Sequence, residues 1–126
     1  MRVGLAFVAV REDGAVLLRR RPEAGLLGGM LEVPSTEWGD LLPPLKTGLR
    51  AAPVQGEWWV VPGTVAHVFT HFRLELQVYR ALVPAHASLT LWSDPARCRW
   101  VPRRDLDRSA LPTLMRKVIA HALRGQ

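Results

Sequence analysis

Asp13-Gly14 stands between two uninterrupted apolar runs, residues 3–10 and 15–18, and this arrangement restricts the fold more than any other feature of the chain. Glycine accepts the positive φ that a tight turn demands, so Asp-Gly between two such runs predicts a β-hairpin. The second strand ends in Arg19-Arg20-Arg21-Pro22. Strand alternation sets Arg19 and Arg21 on one face and Arg20 on the other. A loop over residues 23–29 and a short strand over residues 30–33 are expected to follow.

Further along, Leu41, Leu42, Leu45 and Leu49 have helical spacing, but Pro43 and Pro44 can sit only near a first turn. One short helix is expected over residues 43–50. Residues 58–61 restart the sheet, with Pro62-Gly63 turning it. Residues 65–83 are too long for one ordinary strand. Phe72, Leu74, Leu76 and Val78 alternate with polar neighbours as in a half-buried strand, while polar residues fall on both faces around Thr70 and His71. The chain is therefore expected to bend there. Residues 98–101 form a last strand. Leu111, Leu114, Met115, Val118, Ile119 and Ala122 make one apolar stripe at helical spacing, with Pro112 in the first turn and Ser109 or Leu111 as the cap. The expected fold class is α+β: a mixed, curved β-sheet packed by a short helix and a longer C-terminal helix, in one domain over residues 1–126.

Composition narrows the function classes. With 48% hydrophobic and 22% charged residues the chain reads as globular. Basic residues outnumber acidic ones 17 to 11, and 15 of the 17 are Arg, a planar fork suited to phosphates and base edges. Cys98 is the lone cysteine, which excludes an internal disulfide framework and a cysteine-built metal site, and it reads as a packed, inert thiol. The apolar run of residues 3–10 is far short of the ~20 residues a membrane span needs. It also lacks a signal-peptide layout. A cytoplasmic protein with no membrane partner is expected.

Three stretches carry a resemblance. Residues 17–22 lead into Gly25-Leu26-Leu27-Gly28-Gly29-Met30-Leu31-Glu32-Val33-Pro34, as at the start of a Nudix-type domain. His67-Val68-Phe69-Thr70-His71-Phe72-Arg73-Leu74 resembles the H-x-F-[ST]-H-F-x-L segment of MutY-type adenine DNA glycosylases. Trp100-Val101-Pro102 through Ala110-Leu111-Pro112-Thr113 to Lys117 resembles the end of the same domain. The chain thus resembles the C-terminal, Nudix-like domain of that family, which implies a Nudix-like fold and recognition of 8-oxoguanine opposite adenine in duplex DNA. The resemblance also implies an N-terminal glycosylase domain as partner, carrying the adenine-excising carboxylates and a four-cysteine Fe–S cluster. Neither has a counterpart here, so these residues are expected to be one domain, either excised from a longer protein or a natural truncation, with no cofactor of its own, working at the bacterial nucleoid.

A Nudix hydrolase carries G-x5-E-x7-R-E-U-x-E-E-x-G-U, whose late glutamates hold divalent cations against a pyrophosphate. Counted from Gly28, the first Glu position holds Pro34, Arg-Glu becomes Leu42-Pro43, and Glu-Glu becomes Lys46-Thr47. From Gly29 the same positions hold Ser35, Pro43-Pro44 and Thr47-Gly48. No catalytic residue and no metal site is expected. The resemblance assigns lesion and DNA contact to Phe69, Thr70 and His71. Arg19, Arg21, Arg73, Arg116 and Lys117 are the candidates for phosphates. On the residues alone, Phe69 reads as core and His71 as a strand-end surface residue rather than as DNA contacts, and His67 reads as structural. Trp58 and Trp59 are adjacent in a strand and face opposite ways; packing is the reading for both. The competing classes are a free-standing Nudix hydrolase of oxidised nucleotides and a degenerate Nudix module that binds an acidic protein.

Overall fold

The computed structural model describes residues 1–124. Strands β1 (Arg2–Arg11) and β2 (Val16–Arg20) are joined by the expected tight turn, with Gly14 at φ +90°. The Asp13 carboxylate accepts hydrogen bonds from the Arg11 guanidinium and the Ala15 N–H, and these, the Arg11 bond foremost, hold its carboxyl down to about 2. β1 runs parallel to β5 (Arg73–Val83), and β4 (Trp59–Val68) lies antiparallel outside β5. On the other flank β2 pairs with both β3 (Leu31–Glu32) and β6 (Cys98–Val101), giving the order β3-β2-β1-β5-β4. The sheet is mixed, as expected.

The unbroken apolar run of β1 follows from its central place. Ala6, Val8 and Val10 face α3 (Thr113–Leu123), whereas Leu5, Phe7 and Ala9 face a second layer built from α1 (Leu45–Leu49) and the segments around Val54 and Leu89. A strand covered on both faces has no position for a polar residue. α3 buries Leu114, Met115, Val118, Ile119 and Ala122, and each larger side chain contributes about 1.5–3 kcal/mol.

Several boundaries differ from the expectation, each for a local reason. α1 starts at Leu45 because Pro44, at ψ 142°, occupies its cap. Pro112 takes the corresponding place on α3, so neither Ser109 nor Leu111 is the cap. The Ser109 hydroxyl instead donates to the Asp105 carbonyl at the end of α2 (Arg103–Leu106), a short helix that periodicity did not announce. Pro62-Gly63 does not turn the sheet. Both residues are extruded as a bulge between Val61 and Thr64, opposite the adjacent pair Val78 and Gln77, and β4 continues through. Trp58 packs edge-on against Phe7 at 5.3 Å, but Trp59 is 65% exposed, which corrects the reading of packing for both. The long stretch breaks as expected: β4 ends at Val68, β5 starts at Arg73, and the Phe69 N–H donates to the Phe72 carbonyl at 2.8 Å.

Candidate functional site

The β4–β5 turn, Phe69-Thr70-His71-Phe72, is anchored by its rings. Phe69 lies 4.9 Å from both His67 and Phe72 and stacks on Trp38 at 6.0 Å. These rings adjoin the α3-side core, so Phe69 is half-buried packing. Thr70 and His71 are exposed between the two anchors, and neither side chain has a hydrogen-bond partner among the described residues. The local sequence explains the shape: apolar residues at both ends of the turn pack, and the polar pair between them is left outside.

Trp38 reaches this cluster because residues 34–39 run along β1. Phe7 N–H donates to Pro34 O, Thr36 N–H to Leu5 O, and Val3 and Gly39 exchange both backbone bonds. The Thr36 hydroxyl also accepts from the Leu5 N–H at 3.0 Å. Gly4 leaves the room required, since a Cβ there would come 3.1 Å from the Trp38 ring. Cations cover the outer rings. The Arg21 guanidinium lies 4.9 Å from the Trp38 centroid and that of Arg2 4.5 Å from Phe72.

Arg19 and Arg21 share one face, as alternation required, and both converge on Glu32. Arg19 Nε donates to one carboxylate oxygen at 2.9 Å and Arg21 to the other at 2.8 Å. Glu32 is only 3% exposed, and β3 carries it there by pairing opposite Arg19. Three arginines (Arg2, Arg19, Arg21) against two carboxylates (Glu32, Glu37) leave one net positive charge around a cavity of about 400 Å³ whose wall also includes Thr36 and Trp38.

The remaining candidates divide. Lys117 is exposed on α3, and its Nζ lies 3.2 Å from His67 Nδ1, which ties that helix to the ring cluster. Burial and then the Lys117 charge push the His67 pKa below its ordinary value. Arg73 is exposed and pairs loosely with Glu75 at 3.4 Å. Arg116 points elsewhere, donating to the Leu106, Asp107 and Ser109 carbonyls and so pinning the α2–α3 link. The fold therefore brings Phe69, Thr70, His71, Arg21 and Lys117 around one ring cluster and leaves Arg116 out of it. Arg2, Glu32 and Trp38 were not anticipated. The alternation of Arg19 and Arg21 was the one signal in the sequence; the anion they share follows from the pairing of β3 with β2.

Where a Nudix hydrolase would carry its late glutamates, the chain has Lys46 and Thr47 on α1. Among the described residues no group of three or more His, Cys, Asp or Glu comes together as a metal site. No helix is long and apolar enough to cross a membrane. What the ring cluster offers is binding chemistry: a partnerless hydroxyl, an imidazole and cations on one surface.

The NUDIX domain pattern matches residues 5–121. Among curated proteins, adenine DNA glycosylase of Homo sapiens is 30% identical over 82% of the chain, and that of Mus musculus 34% identical over 90%. The chain spans 20% and 24% of the lengths of these two relatives. Among solved structures, the C-terminal domain of mouse MUTYH, in complex with human PCNA, superimposes with a TM-score of 0.66 at 25% identity, over 96% of this chain and 86% of that one.

Proposed function

The chain belongs to the NUDIX domain family, and we propose that it serves as the lesion-reading domain of an adenine DNA glycosylase, recognising 8-oxoguanine opposite adenine and hydrolysing nothing itself. The observation that carries this reading is the tip of the β4–β5 turn, where Thr70 and His71 are exposed, without side-chain partners among the described residues, on a loop that four packed rings hold in place. Guanine presents only an acceptor at N7, whereas 8-oxoguanine presents N7–H. The Thr70 hydroxyl accepts that hydrogen bond, and a backbone N–H of the turn donates to O8. Phe69 fixes the loop rather than entering the helix stack. Lys117, Arg73 and the singly neutralised Arg19–Arg21 pair hold phosphates on either side. Cation–phosphate contacts give affinity and register, and the edge contact gives the discrimination.

Adenine excision belongs to a second domain of the parent protein, as the small share of the glycosylase relatives spanned by this chain suggests. The resemblance to the glycosylase family implies an Fe–S cluster in that same second domain, and the one cysteine here, Cys98, is too few for a four-cysteine site. The site of action is the cytoplasm, on nucleoid DNA. Titrating the isotope-labelled chain with duplexes containing 8-oxoguanine:adenine or guanine:adenine tests the proposal. The lesion duplex alone is expected to shift the Phe69–Arg73 amides strongly. Indifference of those amides to the lesion, or turnover of 8-oxo-dGTP with Mg²⁺ at ~1 s⁻¹ or faster, overturns it in favour of a hydrolase.

A further inference from the structure

The other face of the sheet carries a pocket that the lesion-reading site does not use. It holds about 250 Å³ and is lined by Lys46 of α1, Arg50 at the C-cap of that helix, Gln55, Trp58 and Trp92, with no acidic residue in its wall. Trp58 is its floor, locked by Phe7 and by donation of its indole N–H to the Val54 carbonyl. Trp92 is different. It is 60% exposed, beside a fully exposed Leu91, on a turn that is firmly fixed. The Thr90 hydroxyl, itself buried, contacts the Ala52 and Pro53 carbonyls, Ser93 Oγ donates to Pro53, and the Thr90 N–H also donates to Pro53. Buried hydrogen bonds thus hold an indole in solvent, where burial cannot be the reason for keeping it. Arg50, the C-cap of α1, keeps helical dihedrals and so lies about one turn from Lys46; both are exposed, and neither has a carboxylate partner among the described residues.

A fixed exposed indole beside two unpaired cations recognises a flat ring joined to an anion. We propose that this pocket binds one unstacked nucleotide of a single-stranded DNA segment, its base against Trp92 and its phosphates on Lys46 and Arg50. Stacking on an aromatic ring in a cationic groove holds single strands without reading their sequence. The inference rests on the DNA-binding reading above but uses a different face, so the two can fail separately.

The test is a titration of the isotope-labelled chain with octathymidylate, with thymidine 5′-monophosphate, with the matched 8-base-pair duplex and with an oligo-glutamate peptide. Octathymidylate is expected to shift the Trp92 indole N–H and the amides of α1 and Leu91, and to bind more tightly than the monophosphate or the duplex. Trp92→Ala should weaken that binding about fivefold or more. Lys46→Glu with Arg50→Glu should abolish it, and both proteins should keep the wild-type dispersion of core resonances. Shifts confined to Phe69–Arg73, an unchanged affinity in Trp92→Ala, equal binding of the monophosphate, or tighter binding of oligo-glutamate each overturn the assignment. The last result would give the pocket to an acidic protein.

Discussion

Replacing Glu32 by Gln keeps the shape of the side chain and removes the anion that two arginines share. Hydrogen bonds to charged groups contribute about 1.5–3 kcal/mol each, and removing one partner of a buried ion pair costs about 3–5 kcal/mol. Both guanidiniums keep some access to water, with side chains 34% and 20% exposed, so they rehydrate in part. A loss of about 2–3 kcal/mol is the consistent figure after that discount. For a domain of this size it lowers the thermal midpoint by roughly 6–15 °C. Urea unfolding followed by circular dichroism should give a lower midpoint at an unchanged m-value. The same change releases Arg19 and Arg21 toward phosphates, so duplex binding should tighten and its log–log salt slope steepen by about one unit. A stability loss below about 1 kcal/mol with an unaltered salt slope would refute the claim that Glu32 organises this surface.

Two further predictions concern α3 and its neighbours. The folded-state pKa of His67 is depressed below the ordinary 6.5, so the native protein binds fewer protons than the unfolded chain just below that pH. Its contribution is therefore intact above pH 6.5 and is lost as the pH falls through 6.5 toward the depressed value; thermal midpoints measured from pH 8 to 5 should decline in wild type and flatten in His67→Gln. Arg116→Ala should destabilise by roughly 1–2 kcal/mol, from lost bonds to the Leu106–Ser109 carbonyls, with little effect on duplex affinity, whereas Lys117→Ala should weaken duplex binding at low salt with little effect on stability. Urea titrations paired with DNA titrations separate the two residues.

Local signals carried most of the strand and helix content. Asp13-Gly14 marked the first hairpin, the helical stripe marked α3, and the polar pair Thr70-His71 inside an alternating run marked the turn that projects into solvent. The direction of Arg19 and Arg21 was also legible, because strand alternation is a local property. Which anion they face was not, since Glu32 meets them only through the pairing of β3 with β2. Trp38 and Arg2 escaped for the same reason. Each joins the ring cluster across a long sequence separation, Trp38 through a strap laid on β1 that no motif announces and Arg2 through the pairing of β1 with β5. Pro62-Gly63 looked like a turn because those residues usually make one; whether they turn a strand or bulge from it depends on the partner, and β5 pairs on either side of them. Trp59 misled because apolar character alone does not say which face of an edge strand is covered.

The central claim is that Thr70 reads the lesion, and it is tested most directly by the ratio of affinities for 8-oxoguanine:adenine and guanine:adenine duplexes. The ratio should be measured with the chain joined to an adenine glycosylase catalytic domain, in wild type and in Thr70→Ala. Thr70 is exposed and partnerless, so its removal should leave the fold and the phosphate grip intact. One well-placed contact to a base edge provides about 1–3 kcal/mol of discrimination, so the preference should fall roughly five- to a hundredfold while affinity for the undamaged duplex stays constant. An equal loss on both duplexes, or an undiminished preference in Thr70→Ala, would contradict the account.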